Sequence, residues 1–321
     1  MRIDRRQLLG GLVALAGCTP APPARQDGVF AAGQPAALLI LALAPERLLG
    51  WPRRPSRQAL QLLPPGADLP ELGALASGGA PADLEGVAAL RPTLLLDYGD
   101  TDAAYAALAA RVQARLGVPY RLIDGALANT PQALREVGAA LGVAARGDAL
   151  AAAAARILAR WSTHRVDGPG FYYARGADGL ETGFRGALAG EVMEGAGWTN
   201  VATGGHDIGR VAREQIAAWD PEVIVTLDRA FADAAANASF WRQRRGGGRR
   251  RLLLLPDLPF GWIDRPPSLN RLLGCLAFAG GALLARDPGA VAAPARAFQR
   301  LFFGIALNET QSATLVPRWI A

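Results

Sequence analysis

The chain contains no lysine: all 34 of its basic residues are arginine, set against 28 acidic residues, for a formal net charge of +6. We interpret the use of arginine alone as a property of the overall composition and not as evidence for a function. Six of the arginines crowd between Arg242 and Arg251, around three consecutive glycines. Nucleic-acid binding would combine such a run with interleaved aromatic residues or a groove-entering helix, and only Trp241 adjoins it. We therefore expect a solvated loop and no nucleic-acid partner.

Histidine is almost as scarce, with only His164 and His206. Neither has a second candidate ligand two or four positions later, as zinc sites do, so a bare transition-metal site is disfavoured and both are expected to be structural or surface residues. The patterns GxxxxGK[ST], GxSxG and a strand followed by GxGxxG are also missing. The chain thus lacks the usual phosphate cradle and nucleophile elbow, and we predict no catalytic residue and no cofactor.

Only two cysteines occur, Cys18 and Cys275. They could form one disulfide, but the surroundings of Cys18 favour another role. Cys275 lies in an apolar stretch over 272–284, where a free cysteine behaves as a small buried hydrophobe. We expect it in the core.

The first 17 residues have the layout of a secretory signal, since three arginines precede an apolar run at 8–16 that is too short to span a bilayer. RRQLL at 5–9 resembles a twin-arginine signal, and LAGC at 15–18 resembles the lipobox of bacterial lipoproteins. The resemblance implies cleavage before Cys18 and lipidation of that residue; an ordinary cleaved signal is the alternative, and the export route stays open. We expect a periplasmic lipoprotein that meets the membrane only through its anchor, with a tether over 18–33.

Apolar residues are abundant, at 51% of 321 positions, enough for a large core and, at about 150 residues each, roughly two domains. Short apolar runs bounded by proline or glycine predict buried strands, namely AALLILAL (36–43), PTLLLDYGD (92–100), VPYRLIDG (118–125), FYYARG (171–176), EVIVTLD (222–228) and RRLLLLP (250–256). Helical spacing or composition predicts helices, namely 101–117, 131–142, a long one over 147–166, 186–196 and 267–284. Strands and helices thus alternate along the chain.

This alternation predicts an α/β fold of two Rossmann-like lobes with parallel central sheets, joined by one long rigid helix. We place the N-terminal lobe at 34–145, the connecting helix at 146–166 and the C-terminal lobe at 167–321. Two lobes joined in this way leave a ligand cleft between them.

Five segments carry a resemblance that covers most of the mature chain, namely PERLLGWPRRP (45–55), LEGVAALRPTLLL (84–96), YYARGADGLETG (172–183), VAREQIAAWDPEVIVT (211–226) and PFGWIDRPPSLNRLLG (259–274). In this order they resemble the periplasmic binding proteins for iron siderophores, cobalamin and haem. The resemblance implies a monomer that hands a small ligand to the permease and ATPase of an ABC importer. It also implies modest closure of the lobes, because one helix joins them.

In that family an acidic residue on each lobe meets arginines of the permease. The matching positions are Glu85, in LEGVAALRP, and Glu214, in AREQIAAWDP. Both could equally be favourable acids in the first turn of a helix.

Polar and aromatic residues in loops are the candidates for ligand contact. Arginine suits carboxylate, catecholate or oxyanion groups, and tryptophan or tyrosine can stack on a flat ligand body. The candidates are Trp51, Arg53, Arg54, Tyr98 and Asp100 in the first lobe, and Arg175, Glu181, Arg185, Trp262, Asp264, Arg265, Asn270 and Arg271 in the second. An anionic metal chelate fits this set, and the family resemblance implies that the chelate is an iron complex, such as an anionic siderophore.

Several alternatives stay open. Cobalamin is one, although LASGGAPADLE (75–85) lacks the nearby pocket tryptophan of the vitamin B12 binder, and an oxyanion such as molybdate is another. Haem ranks lower, because only Tyr98, Tyr172 or Tyr173 could ligate its iron. From other classes, a chelatase-like enzyme would need a catalytic histidine, cysteine or cluster ligand set, and a membrane-tethered sensor could use the same fold.

Overall fold

The computed structural model describes residues 27–76, 80–163, 165–279 and 288–320. The predicted signal peptide, Cys18 and His164 lie outside these ranges. Within them, no helix combines the length and the apolar character that crossing a bilayer requires.

The N-terminal lobe is built on a parallel sheet of three strands in the order β1-β2-β3. The strands are β1 (Val29–Ala31), β2 (Leu94–Gly99) and β3 (Tyr120–Asp124), and the helices are α1 (Gln34–Leu43), α2 (Arg57–Leu60), α3 (Leu84–Ala89), α4 (Ala103–Leu116) and α5 (Thr130–Ala140). The bounds of α4 follow from its ends. Asp102 caps the first turn by accepting from the backbone N–H groups of Ala104 at 2.7 Å and Tyr105 at 3.0 Å, and Gly117 ends the helix at φ 67°.

The connecting helix α6 (Ala144–Thr163) leads into the C-terminal lobe. The central sheet of this lobe has the order β10-β9-β8-β4-β6, parallel except for β10. Its strands are β4 (Gly170–Ala174), β6 (Thr199–Asn200), β8 (Val223–Thr226), β9 (Arg251–Leu254) and β10 (Arg318–Ile320), and β5 (Glu181–Gly183) pairs with β7 (Ile208–Arg210) separately. The helices are α7 (Glu191–Gly195), α8 (Arg213–Trp219), α9 (Arg229–Ala236), α10 (Ser239–Arg242), α11 (Arg271–Phe278), α12 (Ala292–Phe303) and α13 (Glu309–Ala313).

Two predictions near the start of the chain are wrong. AALLILAL forms helix α1 rather than a strand, and nine of the ten residues of α1 are buried. A helix buried on all sides gives the same continuous apolar run as a buried strand, and here Pro35 in the first turn favours the helix. The predicted tether over 18–33 extends too far, because Val29–Ala31 form the fully buried strand β1.

The predicted helix at 147–166 begins three residues earlier, as Ala144–Thr163, and those at 186–196 and 267–284 correspond to the shorter elements Glu191–Gly195 and Arg271–Phe278. Residues 280–284 lie outside the described residues. The connecting helix packs tightly on α5 through two glycines, since a Cβ on Gly147 would lie 2.8 Å from the carbonyl oxygen of Leu134 and 3.1 Å from the Cα of Gly138. This close contact fixes α6 against the first lobe.

The arginine-rich segment is only partly the solvated loop that its composition predicts. Residues 245–249 are exposed, but Arg242 and Arg250 are buried. Arg250 donates to the carbonyl of Phe240 at 2.7 Å and to Asp220 at 3.2 Å. These two arginines therefore stabilise the second lobe instead of forming a cationic surface.

The two lobes share packing and direct hydrogen bonds. One hydrophobic cluster contains both Leu38 of α1 and Cys275 of α11. The Ser268 hydroxyl donates to the carbonyl of Pro35 at 2.8 Å. Arg271, fully buried, donates to Glu191 of its own lobe at 2.7 Å and to the carbonyl of Gly125, at the end of β3 in the other lobe. Arg271 thus ties the two lobes together.

Replacing Arg271 with methionine tests how much these hydrogen bonds between the lobes stabilise the fold. The Arg271→Met variant leaves the Glu191 carboxylate and the Gly125 carbonyl without their partner, and we expect it to lower the free energy of unfolding by about 3 kcal/mol. Chemical unfolding measures this value. Arg111→Met, at an exposed position of α4, is the control and should change it by less than about 0.5 kcal/mol. Equal effects of the two substitutions on the free energy of unfolding would contradict the stabilising role of Arg271 between the lobes.

Candidate functional site

A cavity of about 610 Å³ lies between the two lobes. The second lobe supplies Arg229, the first residue of α9 and three positions after the end of β8, and the loop 254–258 at the end of β9. Open α/β sheets place their ligands at the carboxyl ends of such strands. A volume of this size suits a small-molecule ligand.

Two further walls come from distant parts of the chain. The first lobe contributes Ser56, Gln58, Gln61 and Leu62 around α2, and the segment 310–318 contributes residues of α13 and β10. The walls meet where the Gln311 side-chain amide donates to the carbonyl of Gln61 at 3.1 Å. Arg318 reaches the cavity because β10 pairs antiparallel with β9, opposite Leu254.

The cavity combines charged and apolar groups. Among its lining residues Arg229 and Arg318 are basic and Asp257 is acidic, whereas Leu62, Leu254, Leu255, Pro256, Leu258 and Val316 offer apolar surface. Partial loss of water around Asp257 raises the pKa of its carboxyl group above the ordinary value, although Arg265 and Arg229 act in the opposite direction. The two guanidinium groups can bind anionic oxygen atoms, and the leucines can pack on a larger ligand body.

A second group of charges lies at the carboxyl end of β4. The Nε atom of Arg175 is 3.4 Å from both Glu181 and Asp264, and the Tyr173 hydroxyl donates to Asp264 at 3.4 Å. Arg265 joins this group, because its charge acts on both Tyr173 and Asp257. One guanidinium nitrogen of Arg265 is buried without a hydrogen-bond partner. The structure thus brings together four of the predicted ligand residues, Arg175, Glu181, Asp264 and Arg265, next to the cavity wall.

Six of the predicted ligand residues are buried and contact other parts of the protein in this conformation. Trp51 donates its indole N–H to the carbonyl of Ala67 at 2.7 Å, and Asn270 donates to the carbonyls of Gly261 and Pro266. The buried side chains are Trp51, Tyr98, Trp262, Asp264, Asn270 and Arg271, and direct ligand contact stays a prediction for them. Three of these residues have a buried polar atom without a hydrogen-bond partner, namely Nε1 of Trp262, Oδ1 of Asn270 and Nε of Arg271.

The other predicted ligand residues keep some exposure, namely Arg53, Arg54, Asp100, Arg175, Glu181, Arg185 and Arg265. Arg54 pairs with Asp68, and Arg185 donates to the carbonyl of Asn200 at 2.8 Å. None of these residues lines the 610 Å³ cavity.

The sequence did hold a signal for two of the residues that were missed. Arg229 and Asp257 directly follow the predicted strands EVIVTLD and RRLLLLP, so the carboxyl-end rule applied to Tyr98 and Asp100 would have found them. Arg318 carried no such signal, because its place depends on the antiparallel pairing of β10.

The tyrosines and cysteine weighed as metal ligands are all buried. The hydroxyl of Tyr98 lies 3.5 Å from the hydroxyl of Thr130, and Tyr172 donates to the carbonyl of Gly179 at 2.9 Å. Burial raises the pKa of the Tyr172 and Tyr173 hydroxyls and of the Cys275 thiol. Within the described residues, no group of three or more histidine, cysteine, aspartate or glutamate side chains could hold a metal ion.

The two acidic residues predicted to dock the permease occupy equivalent places. Glu85 lies in the first turn of α3, which precedes β2, and Glu214 lies in the first turn of α8, which precedes β8. Both side chains are exposed. They are free to contact another protein.

Comparison with protein-family models gives no match, and comparison with curated protein sequences gives none either. Solved structures do match. An ABC transporter solute binding protein from Sulfurospirillum deleyianum is 24% identical over 91% of this chain and 95% of its own, with a TM-score of 0.78. The molybdate periplasmic binding protein MolA from Haemophilus influenzae, bound to molybdate, is 18% identical over 89% and 95%, with a TM-score of 0.66.

A third similar structure is the periplasmic heme-binding protein RhuT from Roseiflexus, 23% identical over 79% of this chain and 98% of its own, with a TM-score of 0.58. MolA binds molybdate and RhuT binds heme, so the likeness to both concerns architecture. With its two α/β lobes, its single connecting helix and its interlobe cavity, the chain has the fold of the periplasmic solute-binding proteins of ABC transporters.

Proposed function

We propose that the chain is the solute-binding protein of an ABC importer, which captures a small ligand in the periplasm and delivers it to the membrane permease without changing it covalently. The observation that carries this proposal is the 610 Å³ cavity lined by both lobes at the carboxyl ends of β8 and β9. A site shared by two lobes links ligand binding to the relative position of the lobes. A permease that contacts both lobes can therefore distinguish the loaded protein from the empty one.

The ligand we propose is an anionic metal chelate, with an iron siderophore as the leading case. Arg229 and Arg318 supply positive charge from two different walls, and the leucines between them supply apolar surface. A bare oxyanion such as molybdate would fill only a small part of this volume. In this conformation Tyr98, Tyr172 and Tyr173 are buried, and their hydroxyls contact other groups of the protein. Haem, whose iron would need one of these tyrosines as a ligand, is therefore a weaker candidate than a chelate that carries its own metal ligands. Cobalamin stays as the second candidate within the same class.

Ligand binding tests the cavity directly. Native mass spectrometry with metal analysis of protein from its own periplasm identifies a bound chelate, and fluorescence titration then compares a ferric catecholate, cyanocobalamin and molybdate. We expect Arg229→Ala and Arg318→Ala each to weaken binding of the preferred ligand about tenfold or more, because each removes a charge-assisted hydrogen bond. Arg111→Ala serves as the control.

Two results would count against this assignment. Unchanged affinity in both cavity variants would show that the ligand does not bind in the cavity. The group around Arg175 and Arg265 would then be the candidate site, and Arg265→Ala is the variant that tests it. Tight binding of molybdate or a corrinoid, together with no binding of a ferric chelate, would contradict the proposal that the ligand is an iron siderophore.

Docking to the permease is proposed to use Glu85 and Glu214. Charge reversal of both, Glu85→Lys with Glu214→Lys, should abolish uptake while ligand affinity stays unchanged, because the two carboxylates lose their pairing with arginines of the permease. The control reverses one exposed acid in each lobe elsewhere, Glu136→Lys with Asp233→Lys. Uptake at the wild-type rate in the first variant would refute the docking role.

The anchor is proposed to be Cys18, which places the protein in the periplasm on a membrane. Labelled palmitate should enter the wild type and Cys275→Ser but not Cys18→Ser, since only Cys18 lies in the lipobox-like sequence. Label retained in Cys18→Ser would contradict the lipoprotein assignment.

A further inference from the structure

A second concave surface lies between the connecting helix α6 and helix α12, with a volume of about 310 Å³. We call it the α6–α12 groove. Its apolar lining includes Ile157, Leu276 and Phe298, and Arg156 and Arg160 also line it. This groove is separate from the interlobe cavity, with which it shares no lining residue.

Leucine 301, in this groove, is unusually exposed for an apolar side chain. It is 43% exposed and is one of only three large hydrophobic residues that are exposed in the described part of the chain. Exposed apolar surface beside a groove commonly marks an interaction site. The charges around the groove indicate what kind of partner it fits.

Helices α6 and α12 together carry five arginines and a single acidic residue, Asp148. Asp148 pairs with Arg135 of α5 at 3.5 Å, so it leaves the surface cationic. Arg156, Arg160 and, on α12, Arg296 and Arg300 are all exposed. Guanidinium groups around an apolar groove match an anionic lipid surface, where phosphates meet the arginines and acyl chains meet the apolar residues.

Hydrogen bonds connect the start of the described chain to the beginning of α6, which contacts the groove residue Phe302. Arg47 joins the carbonyl of Asp27 at 2.8 Å to the carbonyl of Leu141 at 2.7 Å, just before α6. Arg146, in the first turns of α6, donates to the carbonyl of Phe302 at 3.0 Å, beside Leu301. Nine residue steps lead from Cys18 to Asp27 and can span at most about 30 Å. An anchor at Cys18 would therefore hold Asp27, which Arg47 joins to the residues just before α6, within about 30 Å of the bilayer.

We propose that the α6–α12 groove is a membrane-docking surface for anionic phospholipid. Leu301 enters the boundary between headgroups and acyl chains, and Arg156 and Arg160 bind lipid phosphates. All the lining residues of the groove belong to the described part of the chain. Only the argument from tether length rests on the proposed lipidation of Cys18. This membrane contact is additional to the lipid anchor.

The experiment uses the mature chain, residues 18–321, carrying Cys18→Ser, so that neither the signal nor a lipid contributes. Its binding is measured by cosedimentation with phosphatidylcholine vesicles that contain or lack phosphatidylglycerol. We expect binding only where phosphatidylglycerol is present, and weaker binding at high salt. Arg156→Glu with Arg160→Glu, and separately Leu301→Asp, should each weaken it about tenfold or more.

Matched controls are present in the chain. Arg111→Glu with Arg115→Glu repeats the same charge change at the same spacing on α4, where both arginines are exposed, and Leu188, also 43% exposed, is changed to aspartate. Neither control should lower binding. Equal losses in the controls, or no dependence on phosphatidylglycerol, would overturn the proposal.

Analytical ultracentrifugation distinguishes the rival occupant, a second copy of the chain. A dimer that Leu301→Asp dissociates would show that the groove is an interface between copies and would also overturn membrane docking. No transported ligand takes part in either measurement. Failure of the membrane proposal is therefore distinguishable from failure of the importer function.

Discussion

The packing that holds one lobe against the other is the constraint on which the rest of the structure depends. The first lobe contributes one wall of the interlobe cavity and the second lobe contributes two. The cavity therefore keeps its shape only while α6, α1 and α11 hold the two lobes in one relative position. The shared hydrophobic cluster and the buried Arg271 fix that arrangement. A buried ion pair is an uncertain source of stability, but Arg271 also contacts a backbone carbonyl of the other lobe, which makes it specific for one relative position of the lobes.

The chemistry of the cavity follows from sheet topology. Parallel strands direct the residues that follow them to one edge, which is why Arg229 and Asp257 lie together although 28 positions separate them in the sequence. The antiparallel strand β10 then adds Arg318 to the same edge. Positive charge thus comes from two walls, while apolar residues at the end of β9 fill the space between.

Much of the fold could be predicted from the sequence, because short apolar runs bounded by proline or glycine correctly predicted β2, β3, β4, β8 and β9. The failure at AALLILAL has a physical cause: burial on all sides removes the polar face that distinguishes a helix from a strand. The site was harder to predict. Five of the ten residues in 262–271 are polar and the segment lies mostly in a loop, yet Ser268, Asn270 and Arg271 donate hydrogen bonds to carbonyls of the protein. A sequence does not reveal whether a polar side chain finds its partner inside the fold or in a ligand.

The contact between Gln311 and Gln61 joins segments 250 positions apart in the chain. Closing so long a loop costs conformational entropy, which the contacts between the two lobes must offset. A ligand that fills the cavity would stabilise the arrangement in which both distant segments are in place. Ligand binding there is therefore thermodynamically coupled to the correct placement of two segments that lie far apart in the chain.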